Sequence, residues 1–190
     1  MNGSRVAKVL VAGIGNIFHA DDGFGVEVVR LLEVEGLPET VQIVDFGIRG
    51  LDFAYALLDD SYESVILVDA LSRQKEPGTL FVIEPQFKDG TTISSLEGEV
   101  SPGSLKPASA FGGDSEQDTL SVEPHGMNPE KVLGWARSMG RSFKYVRIVG
   151  CEPQSLGSEV GDVEVGLSPA VAAALPRAVE LTKTLITEAL

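Results

Sequence analysis

The sequence predicts an α/β fold, a three-layer α/β/α sandwich around a mostly parallel, twisted sheet of five strands. Short apolar segments rich in β-branched residues alternate along the chain with segments of helical period. This order builds parallel sheets that are covered by helices on both faces. The chain has 190 residues, 43% hydrophobic and 23% charged, which suits a single globular domain. We therefore expect residues 1–190 to form one domain.

The first half of the chain accounts for three of the strands. Residues 7–12 (AKVLVA) are apolar on both faces, as expected of a buried parallel strand. After a glycine-rich turn, the acidic pair at residues 21–22 opens a helical pattern of apolar positions. Residues 41–45 (VQIVD) predict the second strand, and residues 50–58 a short helix. Residues 64–68 (SVILV) predict the third strand, which is the most hydrophobic and therefore central.

The second half adds two strands, two helices and a long irregular segment. Residues 79–83 (TLFVI) predict the fourth strand. Residues 88–121 are rich in Gly, Ser, Pro and acidic residues without a sustained period, which predicts a long flexible insert or surface loop. A cap followed by proline begins a helix at residues 128–129 and again at residues 168–169. Residues 145–149 (YVRIV) between them predict the fifth strand.

Composition excludes several classes of function and partner. The 28 acidic and 15 basic residues give a net charge of −13, so we expect neither a nucleic acid nor an anionic membrane as partner. The single cysteine, Cys151, rules out an intramolecular disulfide, and we expect a buried, inert thiol. The N-terminal segment lacks a secretory cleavage pattern, and no apolar run reaches the ~18 residues of a membrane span. We expect a cytoplasmic protein.

Polar residues follow the predicted strands at the points where a site would form. In open α/β sheets, ligands bind beyond the carboxyl ends of the strands. His19, Asp21 and Asp22 follow the first strand, and Asp69 follows the third. His125 follows the fourth strand, and it leaves from the same edge if that strand is parallel.

This set of side chains has the composition of a metal site with open positions. Carboxylates supply hard, charged oxygens and an imidazole supplies a borderline nitrogen. Two aspartates at one place repel each other, so either a cation relieves them or one carboxyl titrates at a raised pH.

Each candidate also has a purely structural interpretation. Asp21 or Asp22 could serve only as the N-cap of the first helix, where a carboxylate accepts free backbone N–H groups. His19 and His125 could simply face solvent. Asp45, at the end of the second strand, is either a turn residue or an acid that supports the cleft.

Three familiar catalytic or nucleotide-binding motifs are absent from the sequence. The glycine run at residues 13–18 (GIGNIF) lacks the third glycine of a dinucleotide fingerprint, and no helix opens there. No Gly-Lys-Ser/Thr follows, which excludes a P-loop, and no G-x-S-x-G elbow supports a serine hydrolase.

A resemblance to a known family covers nearly the whole chain. Residues 13–33 (GIGNIFHADDGFGVEVVRLLE) resemble the N-terminal signature of the nickel–iron hydrogenase maturation endopeptidases. Six further segments resemble motifs of that family in the same order: VDFGIRG (44–50), VILVDA (65–70), PGT (77–79), EPHGM (123–127), VGCEPQSLG (149–157) and VGLSPAVAAAL (165–175). Seven pieces in order make a chance match untenable.

The resemblance implies the fold, the activity and the site residues. Asp22, Asp69 and His125 match the three residues that interact with metal in the family, and they would act in catalysis. Asp45 matches a further acid near the cleft, whereas His19 lies where many relatives carry an apolar residue and takes no role from the family, so each is only a candidate for supporting the site. The long segment at residues 88–121 replaces a short family connection.

In that family the enzyme recognises nickel already delivered to the hydrogenase large subunit and then removes a short C-terminal extension. The resemblance thus implies an endopeptidase whose partner is the large-subunit precursor, whose nickel is borne by that substrate, and which needs no organic cofactor. An alternative remains, a non-catalytic nickel-binding or metallochaperone-like module on the same scaffold. A chaperone would hold nickel tightly by itself.

Overall fold

The computed structural model describes residues 8–88, 91–99, 129–157 and 163–190, whose strands form a single sheet with helices on both faces. The strands are β1 (Val9–Ile14), β2 (Val41–Gly47), β3 (Ser64–Ala70), β4 (Leu80–Lys88), β5 (Thr91–Glu99) and β6 (Tyr145–Cys151). The α-helices are α1 (Phe24–Glu33), α2 (Gly50–Leu57), α3 (Pro129–Ser138) and α4 (Pro169–Ala189), and a 3-10 helix spans Ala20–Gly23.

The sheet has the strand order β2-β1-β3-β6-β4-β5. Strands β1, β2, β3 and β6 are parallel, β4 runs antiparallel to β6, and β5 runs antiparallel to β4. Every residue of β3 is buried, in keeping with its central position. The α/β class, the mostly parallel sheet and the five predicted strands are confirmed.

The sheet has a sixth strand that the sequence analysis did not predict. Strand β5 occupies residues 91–99, inside the segment predicted to be a flexible insert, so that prediction is wrong for these residues. The strand lies at the outer edge of the sheet and pairs only with β4. An edge strand needs backbone pairing on one side and no continuous apolar sequence, so TTISSLEGE gives no apolar signal. The remainder of the predicted insert, residues 100–121, lies outside the described residues.

The direction of β4 changes how the chain reaches His125. The sequence analysis placed His125 at the carboxyl edge of the sheet on the condition that β4 is parallel, and this condition is not met. Strand β5 runs antiparallel to β4 and therefore in the same direction as β6. Its last residue, Glu99, pairs with Phe81, and Leu80 beside Phe81 pairs with Cys151 at the end of β6. The chain therefore leaves β5 at the carboxyl edge after all, while His125 itself lies outside the described residues.

The two faces of the sheet have separate hydrophobic cores. One face is covered by α1 and α4, with Phe24 and Leu181 fully buried against β1, β3 and β6. The other is covered by α2 and α3, with Phe53 and Leu133 fully buried. No helix of the described residues is both long enough and apolar enough to cross a lipid bilayer.

Candidate active site

The candidate site lies where the chain leaves β1 and turns into the 3-10 helix and α1. Gly15 has a φ of +130°, and a Cβ there would lie 1.8 Å from the carbonyl oxygen of Asp22. A Cβ on Gly25 would lie 2.4 Å from the Ile14 carbonyl oxygen and 2.1 Å from that of Val68. These two glycines therefore allow α1 to begin directly over the ends of β1 and β3. The 3-10 helix that carries Asp22 is brought to the end of β3.

Asp22 is half-buried, and its carboxylate is anchored to the turn that precedes it. The backbone N–H of Asn16 donates to Oδ2 of Asp22 at 2.7 Å. Burial raises the pKa of Asp22, while this hydrogen bond and the nearby His19 partly offset the increase. Neither the 3-10 helix nor α1 has a side-chain N-cap, so the N-cap interpretation of the acidic pair is wrong.

Asp69 is the next-to-last residue of β3, and only 6% of its surface is exposed. Burial, and secondarily the negative charge of Asp22, raises the pKa of Asp69 to about 8, against the opposing effect of the Ala70 backbone N–H. A carboxylate that shifts its neighbour's pKa must lie close to it. Asp22 and Asp69 are thus an electrostatically coupled pair at the carboxyl edge.

His19 contributes to this pair by its position. Its imidazole is near enough to lower the pKa of Asp22. The backbone around it is held by the segment before α4, since Ala20 N–H donates to the Glu164 carbonyl at 2.6 Å and Glu164 N–H donates to the Phe18 carbonyl at 3.1 Å. His19 is therefore half-buried beside Asp22 rather than free in solvent.

Asp45 lies at the same edge of the sheet but is not part of the coupled pair. It lies two residues before the end of the outer strand β2, in register with Gly13, so β1 separates it from β3. Its Oδ2 lies 3.6 Å from Nη2 of Arg30 on α1, and Arg49 donates to its backbone carbonyl. Asp45 thus ties β2 to α1 and to the turn before α2.

Asp21, adjacent to Asp22, is engaged entirely by backbone groups. Its side chain is fully buried. Oδ2 accepts the N–H groups of Gln154 at 2.8 Å and Ser155 at 3.2 Å, and Oδ1 accepts the N–H of Ser168 at 2.6 Å. With both oxygens occupied, this carboxylate is not free to bind a substrate or an ion.

Comparisons with known proteins place the chain among proteins that mature hydrogenases. The family model described as hydrogenase maturation protease matches residues 26–87. The solved structure of the hydrogenase maturating endopeptidase HybD from Escherichia coli is similar to this chain with a TM-score of 0.63 and 25% identity, covering 95% of this chain and 93% of that one. The chain is similar over nearly its whole length to hydrogenase maturation proteases. This similarity supports a protease role in hydrogenase maturation.

Two curated proteins show that the similarity extends over nearly the full length. The hydrogenase 2 maturation protease of Escherichia coli is 28% identical over 177 residues, which are 91% of this chain and 87% of that protein. The coenzyme F420 hydrogenase subunit delta of Methanothermobacter thermautotrophicus is 29% identical over 179 residues, 92% of each chain.

Of the predicted site residues, the structure places Asp22 near Asp69 and His19 near Asp22. His125 lies outside the described residues, so its position relative to the pair stays a prediction. Within residues 8–88, 91–99, 129–157 and 163–190, no three His, Cys, Asp or Glu side chains are arranged to hold a metal ion. The described part of the chain thus offers two coupled carboxylates.

Sequence reasoning missed one buried acid of this site. Glu152 directly follows β6 and is 4% exposed. Its carboxylate accepts the Ser72 hydroxyl at 3.0 Å and the Arg73 N–H at 2.6 Å. The signal that identified Asp69, an acid at the end of a buried apolar strand, also applies to Glu152 and could have found it.

The loops around the carboxyl edge expose several apolar side chains. Phe18 is 54% exposed and Val165 is 75% exposed. Similar side chains lie on the loops after β2 and β6 and before α4: Ile48, Leu156 and Val163. A cavity of about 410 Å³ lies between the 3-10 helix, residues 165–167 and the first turns of α4. Exposed apolar groups at one edge are typical of a surface that contacts another polypeptide.

Proposed function

We propose that this chain is the endopeptidase that removes the C-terminal extension of a nickel–iron hydrogenase large-subunit precursor after nickel has been inserted. The observation that carries the proposal is the coupled pair of Asp22 and Asp69, in a chain that is similar to hydrogenase maturation proteases over nearly its whole length. In this proposal Asp22, Asp69 and His125 are the catalytic residues that contact the metal, and His19 supports Asp22.

The electrostatics of the pair favour a metal that arrives with the substrate. Without a cation, burial and mutual repulsion keep one proton on the pair near neutral pH, since the pKa of Asp69 is about 8. A nickel ion carried by the precursor would stabilise both ionised carboxylates and could keep most of its ligands from the precursor. Two hard oxygens without a thiolate hold a late first-row ion weakly by themselves.

The proposed reaction is peptide hydrolysis with a carboxylate as general base. With the proton of the pair released to solvent when the substrate-borne nickel binds, Asp22 or Asp69 would accept a proton from water as the water oxygen attacks the scissile carbonyl. The C–N bond then breaks, and the proton is returned to the leaving amine. The released products are the mature subunit with a new carboxylate and the extension with a new amino group.

The exposed apolar side chains suit a polypeptide substrate better than a small molecule. Phe18, Ile48 and Val165 surround the edge that holds Asp22 and Asp69 and are more than half exposed. An extended chain that crosses this edge would cover them and present its backbone to the carboxylates. This surface therefore supports a polypeptide partner, which in this proposal is the precursor.

The test is to incubate the purified protein with large-subunit precursors, with and without inserted nickel, and to measure the mass of the subunit. We expect loss of a C-terminal fragment from nickel-loaded precursor alone. Asp22→Asn keeps the shape but removes the charge, so cleavage should fall by at least about a hundredfold. Asp52→Asn, which changes an exposed carboxylate on α2, is the matched control and should cleave normally. Intact nickel-loaded precursor after long incubation with the wild type would refute the proposal.

A further inference from the structure

We propose that residues 152–155 form a bridge that sets the gap between Asp22 and Asp69. Glu152 attaches one end of this bridge and Asp21 attaches the other, so both are positioning residues for the reaction. The inference rests on the proposed function, because the gap matters only if the two carboxylates act together on one substrate.

The first attachment joins the bridge to the chain that follows Asp69. The Glu152 carboxylate accepts the Ser72 hydroxyl and the Arg73 N–H, three and four residues beyond Asp69. The backbone adds to this contact, since Leu71 N–H donates to the Cys151 carbonyl at 3.0 Å. The exit of the chain from β3 is thus held to the start of the bridge.

The second attachment joins the bridge to the helix that carries Asp22. The Asp21 carboxylate accepts N–H groups from Gln154 and Ser155, and the Asp21 N–H donates to the Ser155 carbonyl at 3.1 Å. The other carboxylate oxygen holds Ser168, the N-cap of α4. The 3-10 helix is therefore fixed to the far end of the bridge and to α4 at once.

The chemistry of both attachments indicates precise positioning rather than general stability. Each is a buried carboxylate satisfied by directional hydrogen bonds, and burying such a charge is costly compared with apolar packing. Charge-assisted hydrogen bonds fix distance and direction, whereas apolar contacts tolerate sliding. Two acids that must contact one substrate-borne ion need placement within about 0.5 Å. The bridge supplies a short, rigid path between their two elements.

The test uses the full chain with Asp21→Asn, Glu152→Gln and the double variant. Each single change keeps the size of the side chain but replaces one carboxylate oxygen, an acceptor, with an amide NH₂ group, a donor. That NH₂ group cannot accept the hydrogen bond that the oxygen accepted. Turnover of nickel-loaded precursor gives kcat and KM, and amide hydrogen exchange without substrate reports on the bridge. Thr182→Val is the structural control, because Thr182 is buried in α4 and donates only to the Ala178 carbonyl.

If the bridge acts as one unit, each single variant should lose about tenfold or more in kcat with KM nearly unchanged. The double variant should be no slower than the slower single variant, because releasing one end of the bridge already removes its control over the distance between Asp22 and Asp69. In Asp21→Asn, exchange should also rise at Arg73, which is held at the opposite end. Thr182→Val should lower thermal stability and leave kcat unchanged.

The bridge would be overturned if the kcat loss of the double variant equalled the product of the two single losses. It would also be overturned if amide exchange in Asp21→Asn rose only at Gln154, Ser155 and Ser168. If Asp21→Asn does not fold, Ser72→Ala removes only the hydroxyl bound to Glu152 and should lower kcat by about twofold to fivefold. An unchanged kcat in that variant would count against the inference. If the wild type cleaves no precursor, the proposed function fails, and the exchange data still decide whether the bridge exists.

Discussion

At the scale of single residues, adjacent acids in the 3-10 helix have opposite environments. Asp21 is fully buried and accepts three backbone N–H groups, whereas Asp22 is half-buried and its charge acts on Asp69. Asp21 and Glu152 also affect Cys151, where burial and these two charges raise the pKa of the thiol to about 12. The expectation of a buried, inert thiol is confirmed, because a thiol that stays protonated is a poor nucleophile.

The raised pKa of Asp69 predicts how its substitution changes stability with pH. The folded state holds a proton on Asp69 up to about pH 8, whereas the unfolded chain releases it near 3.8. Between these values the folded state binds more protons, so the free energy of unfolding of the wild type falls as pH rises. Asp69→Asn cannot ionise at this position, so its free energy of unfolding should not fall with pH for this reason. We expect the variant to exceed the wild type by at least about 1 kcal/mol at pH 8, with the difference shrinking towards pH 4.

Thermal or urea unfolding of metal-free protein from pH 4 to pH 8.5 measures this difference. Asp52→Asn, on the exposed surface of α2, should show almost no such trend. Cleavage by Asp69→Asn should be lost although its stability is higher, as expected where an active site is kept at the expense of stability. A variant that is less stable than the wild type at pH 8 would contradict the assigned environment of Asp69.

At the scale of elements, the position of α1 determines where Asp22 lies. Its second residue, Gly25, touches the ends of β1 and β3 so closely that no side chain fits between them. The helix then continues along the sheet with Val28 and Leu32 fully buried. The approach of Asp22 to Asp69 is therefore a consequence of helix packing as well as of the turn at Gly15.

Gly25→Ala should disturb this packing and the site together. The added methyl group would meet backbone oxygens of Ile14 and Val68, which cannot move aside as a side chain can. We expect a loss of about 1–3 kcal/mol in the free energy of unfolding, from overpacking, together with a fall in kcat. Urea denaturation and cleavage kinetics on the folded protein separate the two effects.

Gly36→Ala is the control for this change. Gly36 has a φ of +68° with nothing within 4 Å of the added methyl group, so only backbone strain of about 1 kcal/mol is expected. Its kcat should stay at the wild-type value. Equal kcat values for the two variants would show that α1 tolerates displacement without moving Asp22.

The elements also show what sequence patterns predict and what they miss. Apolar segments such as β3 are easily recognised in the sequence because both faces of the strand are buried. The cap at Ser168 predicted the start of α4, where the Ser168 hydroxyl accepts the Val171 N–H at 3.5 Å. The direction of β4 could not be predicted, since an apolar segment looks the same in either orientation. Strand β5 has too little apolar sequence to be recognised at the edge of the sheet.

The buried face of a short helix is also hard to predict from its sequence. Leu51 on α2 and Met139, just beyond α3, are apolar, yet they are 59% and 61% exposed. In helices of 8 and 10 residues only about one stripe touches the sheet, and Phe53 and Leu133 occupy it. A pattern over so few turns cannot distinguish two neighbouring stripes.

At the scale of the whole molecule, the site combines residues that are far apart in sequence. Asp22 and Asp69 were predicted because strand ends and family motifs mark them. The partners of Asp21 were not, because they lie 133 to 147 residues away and are backbone groups that carry no sequence signal. Local patterns thus predicted the acids that face the cleft, while only the fold reveals the acid that holds the loops together.

The last prediction concerns the metal and the molecule as a whole. The isolated protein should bind nickel only weakly, with a dissociation constant above about 1 μM, and cleavage should depend on nickel within the precursor. The described residues offer a pair of carboxylates without a third ligand, and a late first-row ion gains little from hard oxygens alone. Because the net charge of −13 attracts cations without specificity, calorimetric titration should be carried out at about 0.15 M salt, with Asp22→Asn as the matched control. Sub-micromolar binding that Asp22→Asn abolishes would favour a metallochaperone-like module. Complete processing of nickel-free precursor would remove the metal from the mechanism, and Asp22 and Asp69 would then act as an acid–base pair that shares one proton.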